Sequence, residues 1–180
     1  MRIIAGEWRG RALVTAKGDT TRPTADRTRE TLFNMLMSRF GSLEGLAVVD
    51  LFAGSGALGL EALSRGAAHC LFVEQDAAAV MALRKNIAAL DAAARVTVRS
   101  GSVLDLGAAK TPSDLVLLDP PYGSNAGHVA LHRLLRLGWL GPATLAVLET
   151  EKNAVVEIPG FTSSVERVVG KAKLTFLQPI

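Results

Sequence analysis

The stretch "VVDLFAGSGALGLEAL" (48–63) limits the possible folds of this chain more than any other. A short apolar run ends at Phe52. Three glycines follow, Gly54, Gly56 and Gly59, spaced G-x-G-x-x-G, and lead into a helical pattern, "ALGLEALSRG", that Gly66 ends. A strand, a glycine turn and a helix in that order make the first βα unit of an open parallel sheet. Its ligand crevice lies beyond the strand end.

The same rhythm continues downstream. Apolar runs at 46–52, 69–75, 95–100, 113–119 and 143–150 read as strands, and the patterns at 76–90 and 126–137 as helices. Strand and helix in alternation imply a parallel sheet covered by helices on both faces. Two more runs, near 162–169 and 172–178, are joined too tightly for a parallel crossover, so they are expected as an antiparallel hairpin at the sheet edge. The expected fold is therefore α/β and Rossmann-like, with about seven strands. Ahead of it, Arg2–Ala5 and Arg11–Val14 flank a turn holding Trp8. They suggest a β-hairpin extension over 1–20, with the main domain at 21–180. Arg22-Pro23-Thr24 opens a helix with Thr24 as its cap, and "ADRTRETLFNMLMSRF" then sets Leu32, Phe33, Leu36 and Phe40 on one face.

A glycine loop of this kind usually suggests a dinucleotide. The charge argues otherwise. Asp50 precedes Gly54 by four residues and would repel a pyrophosphate, whereas it suits an ammonium or a sulfonium. S-adenosylmethionine (AdoMet) carries both and has no phosphate. Its expected binding residues are Asp50, Phe52, Gly54, Ser55 and Gly56 along the loop, with Glu74 and Gln75 at the end of the second strand. Glu74 would accept hydrogen bonds from the ribose hydroxyls. The third strand ends in Ser100-Gly101-Ser102-Val103, where Ser102 and Val103 would meet the adenine. Asp76 is expected to cap the following helix.

The single cysteine, Cys70, excludes an intrachain disulfide and reads as core. His128 and His132 stand four apart without a third ligand, so no metal site is expected. No apolar run approaches the roughly 20 residues of a membrane span, and no apolar segment follows Met1-Arg2; a cytoplasmic monomer is the simplest expectation. The net charge is +3, but residues 1–40 hold eight basic groups against four acidic ones, leaving the remainder at −1. A basic front on a near-neutral body suits a polyanion, or else is a solvated face.

The strand at 113–119 ends in "LLDPPY". Asp50–Gly59 followed by Asp119-Pro120-Pro121-Tyr122 resembles the class I AdoMet-dependent methyltransferases that modify planar nitrogens, whose motif is [DN]-P-P-[YF]. The residue types suit that chemistry. A base amine is a poor nucleophile because its lone pair is delocalised into the ring. Asp119 and the Pro120 carbonyl would accept its two N–H bonds and turn the lone pair outward. Pro121 keeps the corner rigid without a competing N–H, and Tyr122 offers a surface on which the base stacks. The motif leaves adenine N6, cytosine N4, guanine N2 and a glutamine amide all open.

The amino-terminal half is more specific. "RIIAGEWRGRAL", "RPTADRTRETLFNML" and "DLFAGSGALGLEALSRGA" together resemble the bacterial 16S ribosomal RNA guanine-N2 methyltransferase family, over nearly the whole chain. The resemblance implies a class I fold, AdoMet as cofactor, and a guanine of 16S rRNA in the small subunit or an assembly intermediate as substrate. It also implies roles for Arg2, Arg9, Arg11, Arg22, Arg27 and Arg29 at RNA phosphates or in closing the cofactor site, and for Asn34 at the cofactor's methionine end. Arg167, Lys171 and Lys173 would extend the RNA surface or form a solvated hairpin. Ser102 departs from the acidic residue often found after the third strand. The alternatives are a DNA or RNA adenine-N6 methyltransferase, a protein glutamine methyltransferase, an NAD-dependent oxidoreductase and a non-catalytic RNA-binding assembly factor.

Overall fold

The computed structural model describes residues 1–16 and 23–180, with Pro23 and Thr24 as backbone only. Every parallel-sheet run predicted from the sequence is a strand: β1 (Ala47–Leu51), β2 (His69–Glu74), β3 (Val96–Ser100), β4 (Ser113–Leu118) and β5 (Leu140–Glu151). The closing pair, β6 (Phe161–Val169) and β7 (Ala172–Pro179), is antiparallel. The helices are α1 (Pro23–Phe40), α2 (Ala57–Ser64), α3 (Ala77–Ala89) and α4 (Ala126–Arg136). One seven-stranded sheet results, in the order β3-β2-β1-β4-β5-β7-β6. The chain leaves β1 in one direction to reach β2 and β3, and in the other to reach β4 and β5. That reversal opens a crevice beyond the carboxyl ends of β1 and β4.

Alternation along the strands sorts the core into two layers. Val48, Cys70, Phe72, Leu115 and Leu117 face a cluster with Leu32, Phe33 and Leu36 of α1, Leu60 and Leu63 of α2, and Leu83 and Ile87 of α3. Val49, Leu51, Val73, Val116 and Leu118 face Leu131 and Leu134 of α4 with Val156, Ile158 and Phe161. Helices lie on both faces as expected, α1, α2 and α3 on one and, among the described residues, α4 alone on the other. The crossover from β3 to β4 holds only a 3₁₀ turn at Val103–Asp105, because Gly101, Gly107 and Pro112 leave too short a run for a helix. No helix among the described residues is long and apolar enough to cross a membrane.

The amino-terminal hairpin shrinks to a single antiparallel bridge, Arg2 with Ala12. The backbone donors of its turn, at Ile4, Ala5, Glu7 and Trp8, are taken by α2. Glu61 accepts the N–H groups of Ile4 (2.9 Å) and Ala5 (3.0 Å), and the Ser64 hydroxyl accepts that of Trp8 (3.1 Å). Gly6 makes the close approach possible: a Cβ there would lie 1.9 Å from the Ser64 carbonyl oxygen. Ile3, Trp8 and Leu13 thereby join the first core layer. Helix α1 starts at Pro23, which puts Thr24 inside its first turn; the proposed Thr24 cap and residues 17–20 lie outside the described side chains. Asp76 caps α3 as expected, accepting the Ala79 N–H at 2.9 Å.

Candidate active site

Asp50 stands one residue before the end of β1 and is 1% exposed. One of its carboxylate oxygens accepts the Gly59 N–H at 2.9 Å, while the other is buried and makes no hydrogen bond to a described residue. Burial pushes its carboxyl well above the usual range, against the pull of the Gly59 N–H; Asp119 and Glu74 nearby raise it further. Asp50 thus fastens the glycine loop to the sheet from behind instead of lining the crevice. Gly59 has no room for a side chain, since a Cβ would meet a Phe72 ring carbon at 2.3 Å and the Cys70 sulfur at 2.6 Å. Phe52 takes a left-handed conformation (φ 59°) that turns the chain out of the strand and over the crevice.

The crevice itself is a cleft of about 960 Å³. One half of it is lined by Phe52, Val73, Glu74, Gln75, Ser102 and Val103. Glu74 ends β2 beside the loop, with its carboxylate 3.4 Å from the Gly54 N–H. The Ser102 hydroxyl accepts the Leu104 N–H at 3.1 Å, and Asp105 reaches back to the Ser102 N–H at 3.2 Å. Ser102 is therefore used as a cap, and Val103 and Leu104 supply the apolar surface of that wall. Among the described residues lining the cleft are three carboxylates, Glu74, Asp119 and Glu149, and no lysine or arginine. Such a cleft repels a pyrophosphate and suits AdoMet, which has no phosphate and sets an ammonium and a sulfonium against a single carboxylate.

The opposite wall is the corner after β4. Asp119, Pro120, Pro121 and Tyr122 all line the same cleft, with Ser124 and Asn125 beyond them. The Ser124 hydroxyl donates to the Pro121 carbonyl at 2.7 Å and closes the turn. Pro120 is buried, while Tyr122 is half exposed. The Tyr122 hydroxyl donates to Glu149 at 3.2 Å, which fixes the ring at the rim. Burial and the neighbouring Glu149 carboxylate push the phenol above its usual range, so it stays protonated at neutral pH.

Glu149 was not identified from the sequence. The pairing of Leu118 with Leu148 puts it at the level of Asp119, one strand over. The available signal was the one that marked Asp50, Glu74 and Asp119: an acid at the carboxyl end of a parallel strand, here in "ATLAVLET".

Several other expected residues lie elsewhere. Asn34 lines a separate depression between α1 and β6, with Arg39 and Arg167, and does not reach the cleft. Its position on the exposed flank of α1 follows from the apolar face formed by Leu32, Phe33 and Leu36, which turns to the core. Arg29 is 4% exposed, lies 3.8 Å from Glu61 and donates to the Arg2 carbonyl, so it belongs to the interior. Arg2 donates to the Gly10 carbonyl at 3.3 Å and Arg11 to that of Ala89 at 2.6 Å. Arg9 and Arg27 are exposed, and Arg22 lies outside the described residues. Lys173 is buried, bound to the Ala154 carbonyl and to Glu166 (3.6 Å), and offers nothing to an outside partner. His132 packs edge-on against Phe161, and no group of three histidine, cysteine or acidic residues able to hold a metal occurs among the described residues.

Comparison with known proteins agrees with this geometry. The family described as conserved hypothetical protein 95 matches residues 1–178. The ribosomal RNA small subunit methyltransferase D of Escherichia coli K12 is 39% identical over 180 residues, covering 99% of this chain and 89% of that protein. The solved structure of the Escherichia coli protein yhhF superposes with a TM-score of 0.86 at 38% identity, over 99% of this chain and 97% of that one. The magnesium protoporphyrin IX methyltransferase of Synechocystis, solved with bound SAM, shares the fold at a TM-score of 0.67 and 16% identity, over 91% of this chain and 87% of that one. With a glycine-loop crevice, a DPPY corner and a family match along nearly its whole length, this chain has the class I methyltransferase fold and belongs to the conserved hypothetical protein 95 family of ribosomal RNA methyltransferases.

Proposed function

We propose that this protein transfers a methyl group from AdoMet to the exocyclic N2 of one guanine in 16S rRNA, within the small ribosomal subunit or a precursor of it. The observation that carries the reading is a single cleft with Glu74 on one wall and Asp119-Pro120-Pro121-Tyr122 on the other, with no basic side chain between them among the described residues. The name of the 39% identical Escherichia coli relative supports the small-subunit RNA as substrate.

When bound, AdoMet supplies an electrophilic methyl on a sulfonium. The chain's own residues prepare the nucleophile. Asp119 and the Pro120 carbonyl accept the two N–H bonds of the amine, which draws its lone pair out of conjugation and toward the methyl. Pro120 is buried and has no N–H, so its carbonyl keeps its position. The Tyr122 ring, anchored through its hydroxyl, supports the base once it is flipped out of the RNA, a contact worth about 1–3 kcal/mol. Holding the two reactants in one closed geometry accounts for most of the rate.

The test is transfer of labelled methyl from AdoMet to small subunits from cells lacking the protein, followed by mass-spectrometric mapping. The expected product is a single N2-methylguanosine in 16S rRNA, with no transfer to DNA. N6-methyladenosine as the only product would replace this reading with the adenine one.

A further inference from the structure

The Asp119 corner explains how an amino group is held, but adenine and guanine both present one. They differ at the ring nitrogen beside it. In guanine that nitrogen, N1, carries a hydrogen; in adenine it carries a lone pair. Glu149 is placed to sense this difference. It lines the cleft at the level of Asp119 and also borders the adjoining hollow formed by Pro120, Pro121 and Tyr122. One oxygen accepts the Tyr122 hydroxyl at 3.2 Å, while the other makes no hydrogen bond to a described residue. The strand carrying it is paired on both sides, Leu148 with Leu118 and Glu149 with Leu174, so the carboxylate is held by rigid elements.

We propose that Glu149 is the specificity determinant of this site, its second oxygen accepting the guanine N1–H while Asp119 and the Pro120 carbonyl hold N2. The same oxygen would face the lone pair of adenine N1 and repel it. A site built around a desolvated acceptor rejects a partner lacking the matching hydrogen far more strongly than an apolar pocket rejects a wrong shape. The proposal rests on the guanine-N2 reading and adds the group that enforces it.

The experiment uses small subunits reconstituted with 16S RNA in which the target guanosine is kept or replaced by 2-aminopurine riboside. The analogue retains the 2-amino group but has a lone pair at N1. Wild-type enzyme is expected to prefer guanine by about 100-fold or more in kcat/KM, within the range for a missing hydrogen-bond partner. Glu149→Gln, which offers an N–H to the analogue, is expected to shrink that preference at least tenfold. The analogue also lacks O6, but that loss weighs on both enzymes alike, so the ratio of ratios isolates N1. An equal preference in wild type and Glu149→Gln overturns the proposal. So does a wild-type enzyme that methylates both bases at the same rate, a measurement that stands even if the variant fails to fold. Failure of the guanine-N2 reading looks different: native subunits then acquire their methyl on another base.

Discussion

Asp119 follows β4 and Glu149 lies at the same level on the neighbouring β5, both facing one cleft, and the function proposed above gives them different tasks. In that proposal Asp119 holds the reacting amine. Asp119→Ala is expected to lower methyl transfer by about 10²–10³-fold, as loss of a transition-state hydrogen-bond partner does. Its AdoMet affinity, measured by titration calorimetry, should change less than about threefold, an order-of-magnitude bound for removing a group from the far wall. Glu149 is instead a half-buried carboxylate whose pKa is raised by burial, with the Tyr122 hydrogen bond pulling the other way. A raised folded-state value means that the folded chain holds this proton more tightly than the unfolded one. The resulting stability is present below the ordinary value of 4.5 and is lost as the pH rises through the raised value. Glu149→Gln should therefore melt at a higher temperature than wild type at pH 8, and this gain should fade toward pH 4.5. A gain independent of pH would mean that the charge is not what costs stability.

At the scale of the element, α2 does two jobs. Its first turn carries the glycine loop, with Gly59 bound to Asp50. Its last turns carry Glu61 and Ser64, which bind the amino-terminal segment. Glu61 is fully buried and serves Ile4, Ala5, Arg65 (3.0 Å) and Arg29 (3.8 Å) together. Removing it leaves the buried Arg29 guanidinium, whose burial already lowers its pKa, with the half-exposed Asp26 (3.3 Å) as its remaining described carboxylate partner. Glu61→Ala is expected to cost about 3–5 kcal/mol, as breaking a buried pair does, read from the shift in urea midpoint. Amide exchange at Ile4 and Ala5 should accelerate in a milder Glu61→Gln variant; unchanged exchange there would show that the segment is held by its apolar residues alone. The pattern around α2 also shows what was legible locally. The strand, loop and helix follow from apolar spacing and glycines, whereas Glu61 sits among apolar neighbours and gives no sign from its own sequence context of binding residues 4 and 5.

At the scale of the whole molecule, the basic front is thinner than its composition suggests. Of the eight basic groups in residues 1–40, Arg29 is interior, and Arg2, Arg11 and Arg39 are bound to the protein's own oxygens. The Arg9 and Arg27 side chains are exposed and make no hydrogen bond or ion pair to a described residue. Of the eight, these two are the described side chains left to an outside partner. Arg9→Ala with Arg27→Ala should weaken binding to small subunits and reduce the slope of log affinity against log salt by about 0.7 to 0.9 for each phosphate no longer neutralised. An unchanged slope would assign both arginines to the solvated surface.

The sequence by itself determined the sheet, the crevice and two of its walls, because strand periodicity, glycine spacing and the Asp119–Tyr122 corner are local signals that survive without tertiary information. It also marked Asp50 and Glu74 correctly as strand-end acids. Only the tertiary structure decided which side of the strand each acid serves. Asp50 points back to Gly59, Glu74 lines the cleft, and Glu149 joins Tyr122 because β5 lies beside β4. It likewise separated the arginines that hold the fold from those that face outward, and moved Asn34 away from the cleft. Burial and strand neighbourhood depend on contacts between residues far apart in the chain, and no local pattern of residue types encodes them.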